Sequence, residues 1–187
     1  MRVFALTLSA LVALLILSMI ATSAMLKPNT IGPPIAPDPQ QHAEAIVQVY
    51  GADVWGFRGN FAIHTWIATK PPDAPAYTIY QVIGWRLRRN GTAVSITTGM
   101  PNKPWFRSPP LLLHEVRGSH ANALIAEIDA AVNRYPYDKE YVMWPGPNSN
   151  SFTEWIVLEV PGLGFNLPAK AIGKNWMQET YSELISR

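Results

Sequence analysis

The apolar and polar positions after residue 40 divide the chain into a strand-rich first half and a helical second half. β-Branched and aromatic residues alternate with polar ones in four short runs, a pattern typical of half-buried strands. Asn90-Gly91 lies between the last two runs and predicts a tight hairpin turn. Gly84, inside the third run, predicts a bulge or the close approach of another segment. The predicted strands are residues 43–50, 61–69, 77–88 and 93–98.

Apolar residues at intervals of three and four predict helices in the second half. Residues 118–133 carry such a stripe, with Ser119 as the expected N-cap. Residues 141–144 predict a short apolar strand or the approach to the next element. A second helix follows the turn at residues 144–151 and ends at Pro161-Gly162. Residues 176–186 predict a short terminal helix, so the domain is expected to be α+β, with helices packed on an antiparallel sheet.

The beginning of the chain predicts a location outside the cytoplasm. Residues 3–26 carry no charge, and as a helix they would span roughly 36 Å, enough for a bilayer core of about 30 Å. Residues 1–26 are therefore a transmembrane anchor or, given the small residues 21–24, a cleavable signal peptide. Residues 27–39 are rich in proline and predict an extended spacer. Residues 40–187 then form a single globular α+β domain.

Composition removes several classes of function. The chain is 48% hydrophobic and 15% charged, and residues 1–26 account for the excess of apolar residues. The net charge of +2 comes from scattered basic residues, which disfavours nucleic-acid binding. The chain has no cysteine, which excludes disulfides, thiolate metal sites and a cysteine nucleophile. We expect no cofactor and no metal, because His42, His114 and His120 are expected at the edge of the spacer, in a loop and at a helix start, without metal-ligand spacing.

The turn before the second long helix is the first candidate for chemistry. It reads Trp-Pro-Gly-Pro-Asn-Ser-Asn-Ser-Phe over residues 144–152. Asn148 is a favoured N-cap, which would place Ser149 in the first turn beside unpaired backbone amides and the positive end of the helix dipole. That setting suits a nucleophile and an oxyanion. Alternatively, residues 148–151 are a polar cluster that only caps the helix.

Other side chains admit a functional and a structural interpretation. His64 is expected in the middle of the second strand, either as a general base or as a hydrogen-bonded core residue. The three arginines of residues 86–89 could meet lipid headgroups or an anionic glycan, or form a solvated strand end. Most tryptophans are expected in the core, whereas Trp105 and Trp144 lie in proline-rich loops and could line a groove.

Residues 43–174 resemble an uncharacterised bacterial family, a domain of unknown function. The resemblance rests on Ala62-Ile63-His64-Thr65-Trp66-Ile67, Gly84-Trp85-Arg86, Tyr135-Pro136-Tyr137, Ala171-Ile172-Gly173-Lys174 and, most specifically, residues 144–152 with their Trp-Pro-Gly-Pro-Asn-Ser-Asn core. Its members tend to carry a leading membrane segment. The resemblance therefore implies a bacterial inner-membrane protein whose domain faces the periplasm or the exterior.

The chain is also distantly similar to the circularly permuted NlpC-type papain-like fold, the group that includes lecithin:retinol acyltransferase-like proteins. In that group a strand histidine precedes a helix that opens with Asn-Cys-x-x-Phe. His64 and residues 148–152 match this order, with Ser149 in the place of the cysteine. The resemblance implies that His64 acts on Ser149, that Asn148 precedes the nucleophile, and that Gln81 or Tyr80 orients the histidine ring. Serine depends on its base far more than cysteine does.

Three functions follow as hypotheses. The first is a hydrolase or acyltransferase that uses Ser149 and His64. The second is a non-catalytic envelope module that binds peptidoglycan, a peptide, a lipid or a protein partner. The third is a purely structural envelope protein. The first requires Ser149 Oγ within about 4 Å of a His64 ring nitrogen, in a cleft open to solvent.

Overall fold

The computed structural model describes residues 35–186, and these form a five-stranded antiparallel sheet with helices on one face. The order across the sheet is β4-β3-β2-β1-β5. The predicted α+β class and antiparallel sheet are confirmed. The strands are β1 (Ile46–Asp53), β2 (Ile63–Lys70), β3 (Tyr77–Val82), β4 (Val94–Gly99) and β5 (Leu111–Arg117).

Four α-helices are present in the described residues, together with two short 3₁₀ helices, Gly56–Asn60 and Pro161–Leu163. None of the helices within residues 35–186 is long and apolar enough to cross a bilayer. The predicted anchor or signal segment, residues 1–26, and most of the spacer lie outside the described residues. The α-helices are α1 (Arg86–Asn90), α2 (Gly118–Asn133), α3 (Ser149–Glu159) and α4 (Lys174–Leu184).

Alternation along the strands gives the sheet two different faces. On one face Val47, Ile67 and Tyr80 pack against α2 and α3 in the larger core cluster. On the other face Trp66 and Ala68 belong to a smaller cluster, which the segment between β4 and β5 covers with Met100 and Trp105. The chain returns across this second face because β4 ends and β5 begins at opposite ends of the sheet.

The antiparallel order brings the connections β1–β2 and β3–β4 to the same end of the sheet. Asp53 pairs with Ile63, and Val82 pairs with Val94, so both connections leave from this end, which we call the cavity end. The start of β5 and the start of α3 lie there too, since Gly51 pairs with Leu111 and Asn150 donates to the Ile63 carbonyl. The opposite end carries Ile46, Lys70 and Tyr77.

The structure corrects the predicted hairpin. The strand expected over residues 77–88 ends at Val82, and the connection to β4 is the short helix α1, which Gly91 ends in the left-handed conformation (φ 70°). β4 still pairs with β3 as expected. The strand stops where Gly84 meets another segment, because a Cβ there would lie 2.6 Å from the Tyr141 ring. The close approach expected at Gly84 is therefore present.

Two further predictions are wrong. The N-cap of α2 is Arg117, which makes no side-chain cap, so Ser119 lies inside the helix. His114 is in β5 and not in a loop, and its Nε2 lies 2.8 Å from the Leu163 carbonyl oxygen. Residues 141–144 form no strand and lead into the turn before α3, the other alternative that the sequence left open. β5 was missed because its partner β1 is about 65 residues away and its side chains are only half-buried, which weakens the alternation.

Candidate functional site

A cavity of about 710 Å³ opens at the cavity end of the sheet. Its wall comes from five connecting segments, from the start of β2 and from the first residues of α3, so the strand order assembles it from distant parts of the sequence. The wall is mostly apolar and rich in aromatic side chains. The aromatic side chains that line it are Trp55, Phe61, Trp85, Trp105, Phe106, Tyr141 and Trp144.

Asn148 caps α3 in the manner predicted from the sequence. Its Oδ1 accepts hydrogen bonds from the backbone N–H groups of Asn150 (2.9 Å) and Ser151 (3.2 Å). The Ser151 hydroxyl in turn accepts from the Asn148 N–H, which completes a capping box. The turn before it contains two cis peptide bonds, Trp144-Pro145 and Gly146-Pro147.

The two asparagine side chains at this turn are fully occupied by the protein itself. Asn148 Nδ2 donates to the carbonyls of Met143 (3.0 Å) and Ile172 (3.1 Å). Asn150 Nδ2 donates to the carbonyls of Ile63 (3.0 Å) and Ile172 (2.8 Å), and Thr65 Oγ1 donates to Asn150 Oδ1. These bonds fix the start of α3 against β2. Asn148 and Asn150 therefore act as structural residues of the cavity wall.

Ser149 differs from its neighbours. It is 5% exposed and lines the cavity, yet its hydroxyl makes no hydrogen bond with any residue in the described part of the chain. The first backbone N–H groups of a helix also lack partners within the helix. The Ser149 hydroxyl is accessible from the cavity, so water or a ligand can form hydrogen bonds with it. The cavity wall thus offers a polar group to an occupant.

His64 lines the same cavity from the opposite face of the sheet. Thr65 points towards α3, where its hydroxyl lies 2.9 Å from Thr153 Oγ1, so the alternating side chain of His64 projects the other way. Its ring stacks on Trp105 with centroids 3.6 Å apart and planes inclined by 8°. Its Nε2 lies 3.0 Å from Gln81 Oε1, whereas Tyr80 faces α2 and contacts Asp129. Burial lowers the pKa of His64 to about 4, so the ring is neutral at pH 7.

The structure brings Ser149 and His64 to one cavity without joining them. Within residues 35–186 no hydrogen bond connects the Ser149 hydroxyl to a His64 ring nitrogen. The catalytic pair with Asn148 and Gln81 in support therefore remains a prediction. No set of three or more His, Asp or Glu side chains among the described residues could hold a metal ion.

Sequence reasoning named only part of the wall. Trp105 and Trp144 line the cavity as expected, and Arg88 from the basic cluster joins them. The sequence patterns did not indicate Trp55, Arg58 or the other cavity-lining residues of the β1–β2 connection. The available signal was a loop rich in large aromatic residues between two strands, because loops that expose such side chains commonly carry function.

Comparisons with known proteins give one match. A family model described as "Protein of unknown function (DUF3750)" matches residues 44–176, from just before β1 into the first turn of α4. Nothing among the curated proteins or the solved structures matches the chain. The similarity to the permuted papain-like fold accordingly stays a prediction.

Proposed function

The chain belongs to the DUF3750 family of proteins of unknown function, as the sequence led us to expect, and we propose from its site that the domain binds an amphipathic ligand. This ligand has an apolar body and an anionic or carbonyl head. The cavity carries the proposal, because its volume of about 710 Å³ lies within the range of about 300–1,000 Å³ typical of small-molecule sites. Aromatic walls with few polar groups are also typical of such sites.

The polar groups of the cavity indicate the head of the ligand. Arg58 and Arg88 line the wall and supply positive charge, and Ser149 supplies a hydroxyl without a partner. Asn148 and Asn150 have no donor left, which argues against a glycan that needs many hydrogen bonds. A lipid or another amphiphile therefore fits better than peptidoglycan or a peptide.

The predicted leading segment gives the proposal a setting. If residues 1–26 anchor the chain, the domain works at the outer face of a bacterial inner membrane, where amphipathic molecules are available. The predicted spacer, residues 27–39, would link the anchor to the domain. Deleting residues 1–26 and comparing membrane and soluble fractions tests the anchor separately from the cavity.

Binding is tested with a fluorescent fatty acid such as a dansyl-labelled undecanoic acid. We expect saturable binding that Ala62→Trp weakens, because Ala62 lines the cavity and an indole there occupies part of the space. Ala74→Trp is the matched control, since Ala74 is equally half-buried but lies in the β2–β3 connection at the other end of the sheet. Equal binding by the two variants would contradict the proposal.

The head group is tested with the methyl ester of the same probe. Arg88→Ala should weaken binding of the acid about tenfold, the equivalent of about 1.4 kcal/mol, and leave binding of the ester almost unchanged. A loss of the same size for acid and ester would mean that Arg88 contributes packing and not charge recognition.

Acyl transfer by Ser149 is the second candidate, favoured by its unpartnered hydroxyl at the start of α3. In this reaction Ser149 Oγ attacks a carbonyl carbon, its proton passes to a base such as His64, and the leaving group departs with a proton. A fluorophosphonate probe should then label the wild type and neither Ser149→Ala nor His64→Ala. Absence of labelling in the wild type, with fatty-acid binding intact, would leave binding as the function.

A further inference from the structure

Exposed apolar side chains concentrate around the mouth of the cavity. Of the twelve large hydrophobic residues that are exposed in the described part of the chain, eight lie in residues 55–61, at Trp85, at Phe106 and in residues 142–144. Trp144 is 74% exposed and Phe57 is 61% exposed. We call these eight residues the aromatic rim. A soluble surface rarely exposes so many large apolar groups together unless they contact a partner.

The aromatic rim is made of four segments, and in three of them all the charged side chains are positive. Arg58, Arg88, Arg89, Lys103 and Arg107 are exposed there, and none forms an ion pair with a described residue. Residues 55–61, 84–90 and 103–107 contain no aspartate or glutamate. The rim is therefore apolar and is flanked by unpaired positive charge.

We propose that the aromatic rim docks the folded domain onto an anionic lipid bilayer. Tryptophan and phenylalanine enter the boundary between headgroups and acyl chains, and flanking cations attract anionic headgroups. The proposal goes beyond the binding of a ligand in the cavity, because two of the eight rim residues, Phe57 and Val142, do not line it. It also concerns a contact separate from the predicted anchor.

Charge complementarity favours a bilayer over the other possible occupants. A second copy of the chain would place one cationic rim against another, which like-charge repulsion opposes. A protein partner would need an acidic surface shaped to four separate segments. A fluid anionic bilayer supplies both the negative charge and an apolar layer without any matched shape.

The absence of cysteine makes the proposal directly testable, because each introduced cysteine carries the only label. The full chain is reconstituted into vesicles with Phe57→Cys or Val142→Cys coupled to an environment-sensitive fluorophore. Thr98→Cys is the control, since Thr98 is exposed near the opposite end of the sheet. Vesicles contain 30% phosphatidylglycerol in phosphatidylcholine, with a nitroxide quencher on the acyl chain of a trace lipid.

We expect the labels at positions 57 and 142 to shift to shorter wavelength and to be quenched at least threefold more than the label at position 98. The difference should fall by half or more in pure phosphatidylcholine, at 0.5 M salt, or with Arg89→Glu and Lys103→Glu together. Fatty-acid binding by that double variant should persist, because neither residue lines the cavity. Equal quenching at all three positions in anionic vesicles would overturn the proposal.

Discussion

Neighbouring polar residues at the start of α3 differ in what their side chains contact. Asn148, Asn150 and Ser151 are each held by several hydrogen bonds to the turn, to β2 or to the residues just before α4. Ser149 is equally buried, but its hydroxyl faces the cavity without a partner among the described residues. The sequence left open whether residues 148–151 only cap the helix or include a nucleophile. The capping interpretation applies to Asn148 and Ser151, whereas Ser149 alone of these described residues has a hydroxyl free to react or to bind a ligand.

His64 makes the stability of the domain depend on pH. Its pKa of about 4 in the fold is below the ordinary value of 6.5, so the unfolded state binds its proton first as the pH falls. The stabilising contribution is complete above pH 6.5 and is lost as the pH falls towards 4. The full difference corresponds to about 3 kcal/mol.

Urea unfolding at pH 7, 5.5 and 4.5 measures this dependence. We expect the fall in unfolding free energy between pH 7 and 4.5 to be clearly smaller in His64→Gln than in the wild type. The comparison cancels other groups such as Glu154, whose raised pKa acts in the opposite direction. The same fall in both proteins would show that His64 is not responsible.

At the scale of elements, α3 depends on a glycine outside the helix. Gly173 has φ 107°, and a Cβ there would overlap the Asn148 side-chain amide. Gly173→Ala should therefore displace the N-cap and lower the unfolding free energy by about 2–4 kcal/mol. Gly91→Ala is the control: it has φ 70° with open space around it, and should cost about 1–2 kcal/mol from backbone strain alone.

Thermal or urea unfolding of the two variants separates steric overlap from strain. If both glycine variants lose the same stability, the close contact with Asn148 does not hold the start of α3. If Gly173→Ala is the less stable variant, it should also bind the fluorescent fatty acid less tightly, because Asn148 and Ser149 form part of the cavity wall.

The sequence predicted well those elements whose signals are local. Residues 118–133 were assigned correctly because a single apolar stripe defines α2, and Asn148 because the N-cap is a property of its own turn. The local sequence pattern did not predict elements whose conformation depends on contacts with a distant segment. Tyr141 restricts the chain at Gly84, and β1 recruits β5, so neither α1 nor β5 was predictable from its own residues.

At the scale of the whole molecule, the site results from strand order. An antiparallel sheet returns the β1–β2 and β3–β4 connections to one end, and the long return across the second face brings Trp105 there as well. The residues of the wall are therefore spread over about 120 positions of sequence. The sequence pattern indicates individual residues such as His64 and Ser149, but the aromatic loops that enclose them meet only in the folded chain.

The length of the spacer sets a limit that can be measured. The spacer joins the domain at the end opposite the cavity, where Ala36 is buried and the Tyr77 hydroxyl donates to the Pro37 carbonyl. Residues 27–35 would reach about 28 Å when extended, and the eight-residue strands β1 and β2 are about 26 Å long. Deleting residues 29–33 should abolish lipid quenching of the label at Phe57→Cys, whereas a Gly-Ser replacement of equal length should retain it. Retained quenching after the deletion would show that the rim does not use the bilayer of its own anchor.

The described chain enters the fold at the end of the sheet opposite the cavity, where Ala36 is buried and the Pro37 carbonyl accepts from Tyr77. If the preceding residues tether the domain to a bilayer, as we propose, the tether is hardly longer than the sheet and permits two limiting orientations. In one orientation the mouth of the cavity faces that bilayer, and in the other it faces away. The length of the tether would then select between taking up an amphiphile from the bilayer and presenting it elsewhere.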